Sequence, residues 1–301
     1  MSIAMRDDAR DLFTRATPIL FVLIWSTGWI SAGYAALYAD PLAFLLVRHS
    51  LAALALAVLA LMARSPWPTR PRLIVHAIVA GVLLNGLYLA GVWWAVRHGV
   101  PAGLSGVIAA LQPIFTAALA PLILKETVTG RQWLGIALGF LGLCVAFAPR
   151  LAGLDGATLQ AALIPIAINV AAMLAATLGT FYQKKYASGM DVMPVTALQF
   201  FGAAIITAPL AFLLEPMRVE WNFTIILTMA WSVIVLSIGG VCLLIYLIRR
   251  GAVSKVATLI YLVPPVTAAM AYVTLGETLN AVQIAGLALT VAGVWLATAR
   301  S

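Results

Sequence analysis

Charge is what this chain has least of. Asp, Glu, Lys and Arg make up 9% of its 301 residues, against about 25% in an average soluble domain. A chain so poor in charge cannot cover a water-facing surface, which excludes a free-standing soluble enzyme or nucleic-acid-binding module. Acidic residues are the scarcest, 10 in all, and each falls in a loop or at the edge of an apolar run. No buried carboxylate is therefore on offer to neutralise a dedicated organic cation or to relay protons across a membrane. Cysteine is nearly absent. Cys144 and Cys242 both lie within apolar runs, where they act as small hydrophobes, so neither a disulfide framework nor a metal site is expected. The chain has three histidines and no HExxH or GxSxG pattern. An intramembrane enzyme, the alternative of a different class, would thus lack a nucleophile, a metal cluster or an acid pair. No cofactor is expected.

Apolar sequence is what fills the chain. Hydrophobic residues are 63% of it and the mean hydropathy is +1.05. Ten runs of roughly 20 residues without acidic residues fall at about 17–36, 41–62, 73–95, 101–122, 131–148, 161–182, 192–214, 224–247, 252–274 and 280–299. Each is near the length a helix needs to cross about 30 Å of hydrocarbon. The first follows a basic segment as a secretory signal would, but its apolar core is too long and nine more runs follow. The expected fold class is all-α and integral to the membrane, with ten transmembrane helices.

The cations are distributed unevenly. With ten spans, one face receives 14 of the 18 Lys and Arg, from Arg6 to Arg300, and the other receives Arg97, Arg150 and Arg218. Fourteen against three puts both termini in the cytoplasm. The net charge of +8 therefore reports topology and lipid contact, and no nucleic-acid partner is expected.

The chain also repeats itself. Glu126, Thr127, Gln132, Gly135 and Gly142 recur as Glu277, Thr278, Gln283, Gly286 and Gly293, all 151 residues on, and the same offset sets Gly28 on Gly179 and Pro113 on Pro264. The seam falls in the turn-rich segment 149–160, dividing the chain into 1–150 and 151–301. Five spans per half make the second copy enter the membrane inverted, which is an architecture of transporters. Glu126 and Glu277, each beside a Thr, are read as caps or anchors of the helix that follows. Gly135, Gly139 and Gly142 form a close-packing stripe, for contact within the chain or between copies, so a monomer or weak homodimer is expected.

Trp25-Ser26-Thr27-Gly28, Ala39-Asp40-Pro41, Arg48, Gln112-Pro113, Lys125-Glu126-Thr127, Arg249-Arg250-Gly251 and Tyr261-Leu262-Val263-Pro264-Pro265 together resemble the drug/metabolite transporter superfamily, in its ten-helix EamA family. The resemblance implies two five-helix bundles around a central cavity and export or exchange of small metabolites from a bacterial inner membrane. It is similar in kind to the YddG-type amino-acid exporters. Many relatives carry a Lys eight residues after the first-span Trp; here that position is Gly33, so no role for that cation carries over.

Polar groups inside the spans point to a site at mid-depth. Pro113 in the fourth span and Pro264 and Pro265 in the ninth each free a carbonyl, and helices broken at matching places in two halves mark a transporter site. Ser105 and Gln112 share a face of the fourth span, Thr258 and Tyr261 one of the ninth, Asn85 and Tyr88 one of the third, while Thr177 lies on the sixth and Trp25 well inside the first. These are the expected cavity residues, with Arg48 as a possible gate or carboxylate contact. His49 is assigned to packing, and Trp67, Trp93, Trp94 and Trp221 to interfacial belts. A phosphorylated solute needs several cations and the interior offers one. The expected substrate is a neutral or zwitterionic metabolite, amino acids foremost, exported by alternating access; the alternative is an uncharged drug or toxic metabolite.

Overall fold

A chain in lipid must satisfy its backbone polar groups internally, which leaves helices or closed barrels, and the described residues of this one form helices joined by short connections. The computed structural model describes residues 2–100, 105, 108–152, 156–161, 163–250, 256, 258–275 and 280–298. In chain order the helices are α1 (Ser2–Tyr38), α2 (Pro41–Met62), α3 (Pro71–Arg97), α4 (Leu111–Ile123), α5 (Gly130–Leu151), α6 (Leu163–Ala187), α7 (Val192–Leu214), α8 (Phe223–Arg250), α9 (Val263–Leu275) and α10 (Ala281–Thr298), with a short helix at Gly156–Ala161 between α5 and α6. Eight of them are long and apolar enough to cross a membrane; α4 and α9 are shorter. A single isolated bridge, Ala39 to Val219, is the only extended pairing among the described residues.

The distribution of side chains is that of a protein solvated by lipid. Leu122, Leu213 and Phe223 are about 80% exposed, whereas Asn169, Gln183, Gln199 and Ser237 are fully buried. Large apolar groups face outward and amides face inward, as expected where the surrounding solvent is hydrocarbon.

The tightest helix pair is α5 with α10, and glycine makes it possible. A Cβ at Gly135 would come within 2.6 Å of the Gly293 carbonyl and the Ala297 nitrogen, and one at Gly142 within 2.6 Å of the Gly286 carbonyl and 2.5 Å of the Thr290 nitrogen. Rising residue numbers on α5 meet falling numbers on α10, so the two helices run antiparallel. The contacts also exchange under the 151-residue offset, since Gly286 meets Ala146 just as Gly135 meets Ala297.

The repeated Gln has a local task in both helices. The Thr129 hydroxyl accepts from the Gln132 backbone N–H at 3.3 Å while the Gln132 side-chain Oε1 accepts from the Thr129 N–H at 2.8 Å. Asn280 and Gln283 make the same reciprocal pair at 2.9 and 3.1 Å. These are capping boxes, and they correct the assignment of the α5 cap to Glu126 and Thr127: the cap lies two residues later. Glu277 and Thr278 fall outside the described residues.

Besides a π-helical turn at Gln183–Ala187 in α6, such turns occur at Val82–Leu87 in α3 and Ser232–Gly240 in α8. Shifted by 151, the α3 turn would cover 233–238, inside that of α8. Such turns widen a helix and are frequent at functional sites. Glycines seat neighbours against the turns of α3 and α8: Gly28 of α1 faces Leu236, and Gly179 of α6 faces Leu84.

On the face expected to be extracytoplasmic, the α1–α2 corner is tied to the α7–α8 loop. Asp40 N–H donates to the Arg218 carbonyl at 2.8 Å, and Arg218 N–H donates to Asp40 Oδ2 at 2.8 Å. Glu215 Oε2 accepts from the N–H groups of Leu42 and Ala43 at 2.8 and 3.1 Å, capping α2 from another helix's end.

Candidate functional site

The π turns of α3 and α8 face the same interior space. The turn of α3 carries Asn85, with Tyr88 one residue beyond it; that of α8 carries Leu236 and Ser237. Between them, α1 contributes Trp25, Gly28 and Ala32, and α2 contributes Arg48. Together with Leu89, Val92, Trp93 and Val241 these residues, apart from Ser237, line a cavity of about 60 Å³. A second cavity of about 20 Å³ adjoins it and shares Trp25 and Tyr88; its other walls include Phe21, Leu84, Gln112, Thr180, Leu244 and Ile260. A water needs roughly 10–15 Å³ by such a measure, so the pair admits a few waters and is contracted relative to a metabolite.

Polar groups here are few and differ in how far they are satisfied. Arg48 is 7% exposed, and its Nε donates to Ser237 Oγ at 2.9 Å. The Asn85 amide nitrogen is buried without an acceptor among the described residues. Tyr88 lines the same cavity as Arg48. Trp25 packs on Phe21 with ring centroids 5.1 Å apart, and Trp93 stacks on Phe44 at 5.7 Å. Trp93 thus lines the cavity rather than an interfacial belt. Its position one helical turn beyond Leu89 and Tyr88 is the signal that a reading based on span ends passes over.

The remaining sequence-nominated residues divide. Trp25, Asn85, Tyr88, Gln112 and Arg48 come together on the two cavities. Ser105 accepts from Asn169 Nδ2 at 2.8 Å, joining the fourth span to α6. Thr177 donates to its own helix, to the Met173 carbonyl at 3.0 Å. Thr258 is buried. The Tyr261 ring lies against Gly139 of α5, where a Cβ would come within 2.6 Å of it, and it is not among the side chains lining either cavity. His49 is fully buried beside Thr207, 3.3 Å away, and near the Phe200 ring.

The prolines sit where helices begin rather than inside them. Pro113 is the third residue of α4, after a turn at Ala110, and Pro264 and Pro265 are the second and third of α9, after a 3₁₀ turn over Leu259–Leu262. Proline is tolerated in a first turn because its missing N–H has no helical partner there anyway. The breaks nevertheless fall at matching places. Ser26 of α1 reaches across one of them, its Oγ donating to the Val263 carbonyl at 3.4 Å as well as to Val22 at 2.7 Å.

Comparison with known proteins follows the same lines. A family model described as "EamA-like transporter family" matches residues 16–148 and again 163–299. The chain is 27% identical to the "Uncharacterized transporter YvbV" of Bacillus subtilis over 93% of its own length and 90% of that protein's. It is 30% identical to a "Probable amino-acid metabolite efflux pump" of Salmonella typhimurium, over 72% of this chain and 74% of the relative. A "Probable terminal-alkyne amino-acid exporter" of Streptantibioticus cattleyicolor is 27% identical over 85% and 83%. Among solved structures, a crystal structure 18% identical in sequence superposes with a TM-score of 0.76 over 94% of this chain and 95% of the other, a likeness of fold.

Proposed function

The chain belongs to the EamA-like transporter family, and from that premise we propose that it exports small neutral or zwitterionic metabolites, amino acids foremost, from the cytoplasm by alternating access. It is a multi-pass membrane transporter and not an enzyme. The observation that carries the solute class is the cavity pair sharing Trp25 and Tyr88: aromatic faces, two amides and one cation line it, with no carboxylate. Aromatic faces can receive an ammonium group, and the polar donors can meet a carboxylate. The relatives whose names refer to amino acids support the same class.

Ten spans in two inverted halves, 1–150 and 151–301, are part of this proposal. Antiparallel α5 and α10, contacts that exchange under the 151-residue offset, and paired π turns in α3 and α8 support it. In such an arrangement, rocking one half against the other opens a central site to each face in turn. The narrowness of the cavities fits a protein whose helices must part to admit solute. Both termini in the cytoplasm of a bacterial cell, and a monomer or weak dimer in the inner membrane, complete the reading.

A second reading rests on the second cavity, whose walls of Phe21, Leu84, Leu244 and Ile260 are largely apolar. That surface suits an uncharged, lipophilic compound. A counterflow screen with purified protein in liposomes, using labelled amino acids, sugars and drugs, separates the two. Amino-acid counterflow supports the first; activity confined to uncharged drugs replaces it with the second.

A further inference from the structure

Arg48 is the only Lys or Arg that the sequence sets well inside an apolar run, and the structure leaves it without an anion. It is 7% exposed, yet among the described residues its guanidinium makes one hydrogen bond, from Nε to Ser237 Oγ at 2.9 Å, and no ion pair. A guanidinium has five N–H donors in a planar fork, and a buried cation with no counter-charge is strongly unfavourable. In the same cavity Asn85, 3% exposed, holds an amide nitrogen that has no acceptor among the described residues. Two buried donor groups therefore line one small space, and among the described residues the only hydrogen bond they make is that from Arg48 Nε to the Ser237 hydroxyl. Around them stand the rings of Trp25, Tyr88 and Trp93.

We propose that this cavity is a carboxylate-binding site, in which the terminal nitrogens of Arg48 and the Asn85 amide hold the two oxygens of a monocarboxylate solute. The assignment rests on the reading of the protein as a metabolite transporter and names the group by which its solute is recognised. Planar, two-toothed pairing of a guanidinium with a carboxylate is the geometry that such a fork favours. A phosphate dianion would call for further cations, and the cavity supplies none. The ammonium group of an amino acid has no carboxylate to pair with here, so it sits against the aromatic walls. Ser237 is a positioning residue: by engaging Nε from the π turn of α8, it leaves the other edge of the guanidinium for the solute. The site is thus built from both halves, with Arg48 and Asn85 in the first and Ser237 in the second.

The test uses full-length protein in liposomes. The L-amino acid giving the strongest counterflow is compared with its carboxamide and its decarboxylated amine as competitors, and with chloride exchanged for sulfate, which carries no carboxylate, as a control for a small inorganic anion. In wild-type protein the carboxamide and the amine compete at least about tenfold more weakly than the amino acid. Arg48→Gln weakens the amino acid by a similar factor and abolishes the preference, while Arg48→Lys retains part of it. Should Arg48→Gln not give a single gel-filtration peak, Asn85→Leu and Ser237→Ala keep the cation and read the same preference, which falls severalfold. Equal competition by amino acid and carboxamide in wild-type protein overturns the site while leaving the transporter reading intact. Full preference retained in folded Arg48→Gln, or in both other variants, does the same, as does competition by chloride with no discrimination among the organic solutes. If the wild-type protein moves no amino acid at all, the proposed solute class and this site fall together.

Discussion

Thr290 Oγ1 donates to the Gly139 carbonyl at 3.4 Å across the α5–α10 contact, and the two residues stand 151 positions apart, the same offset that relates the two halves of the sequence. The glycine contacts between the two helices have their counterparts on the other side: Gly135 with Ala297 and Gly286 with Ala146, Gly142 with Thr290 and Gly293 with Gly139. A self-paired contact of this kind is what a two-fold axis through the interface produces. Because backbone meets backbone here, a larger side chain has nowhere to go. Gly142→Leu and Gly286→Leu are expected to destabilise the protein by about 1 to 3 kcal/mol through overpacking. Gly33→Ala, where an added Cβ meets nothing within 4 Å, should stay within about 0.5 kcal/mol of wild type. Thermal unfolding in mild detergent, followed by fluorescence-detected gel filtration, gives the comparison; a Gly142→Leu protein that melts with wild type would contradict the packing account.

Much of this interface was legible before any coordinates, because a stripe of small residues and a repeated Glu, Thr and Gln survive in the one-dimensional pattern. Trp25, Asn85, Tyr88 and Gln112 were legible for a related reason: polar or amphipathic side chains deep in an apolar run need a purpose. The π turns at 82–87 and 232–240 were not, since they depend on how α3 and α8 pack against other helices and leave no local signature. Trp93 was hidden by the rule that tryptophans near span ends belong to the interface. Tyr261 was drawn toward the site by its adjacent prolines, but the absence of a side chain at Gly139 gives its ring a place against α5. The capping boxes show the limit of motif reading, for the Thr next to Glu126 was the wrong Thr.

With ten spans, fourteen of the cations fall on one face and three on the other, so both termini are expected in the cytoplasm. Alkaline phosphatase and green fluorescent protein fusions at residue 301 should be inactive and fluorescent, respectively, and a tag at the N-terminus should resist external protease. Termini on opposite faces would end the ten-span inverted arrangement, because an even number of spans cannot separate them.

Glu215 offers a handle on pH outside the spans. Burial raises the pKa of its carboxyl from 4.5, an effect partly offset by the hydrogen bonds from the Ala43 and Leu42 N–H groups. A group whose folded-state pKa is raised contributes stability that is fully present below the unfolded value and is lost as pH rises through the folded one. Between about pH 4.5 and neutrality, wild-type protein should therefore lose stability relative to Glu215→Gln, whose side chain titrates no proton but can still accept from α2. Melting curves of both proteins from pH 4.5 to 8 provide the check. Parallel curves across that range would show that Glu215 has no raised pKa.

Gln112 lines the second cavity, whereas Glu126 lies beyond the end of α4, outside both cavity linings. Loss of a buried polar contact costs about 1 to 3 kcal/mol, roughly five- to a hundredfold in affinity. Gln112→Ala should therefore raise the half-saturating solute concentration by a factor in that range, while Glu126→Gln leaves it within about twofold. Tyr261→Phe removes a hydroxyl that is buried without a partner among the described residues, and it should transport normally. Initial rates at sub-saturating solute, normalised to folded protein, decide the matter: normal transport by Gln112→Ala together with a dead Glu126→Gln would move the site elsewhere.

The last expectation concerns the driving force. Proton-coupled carriers commonly rely on Asp or Glu within the membrane, and this chain keeps its acidic residues in loops and at span edges. Of the histidines, His49 is fully buried against Thr207 and Phe200, and His76 is engaged with the Tyr182 hydroxyl at 2.7 Å and stacked on Tyr186. Neither lines the cavities. The solute's own gradient should then set the direction of movement, so that cytoplasmic excess produces export. Purified protein in liposomes, with pH gradient and voltage both clamped to zero by ionophores, should still exchange labelled amino acid for unlabelled, at a rate that varies little when an inward proton gradient is restored. Exchange that appears only with the proton gradient, or uptake confined to quaternary cations, would mean that a proton path or an anionic site operates where the sequence and the cavity provide no carboxylate for it.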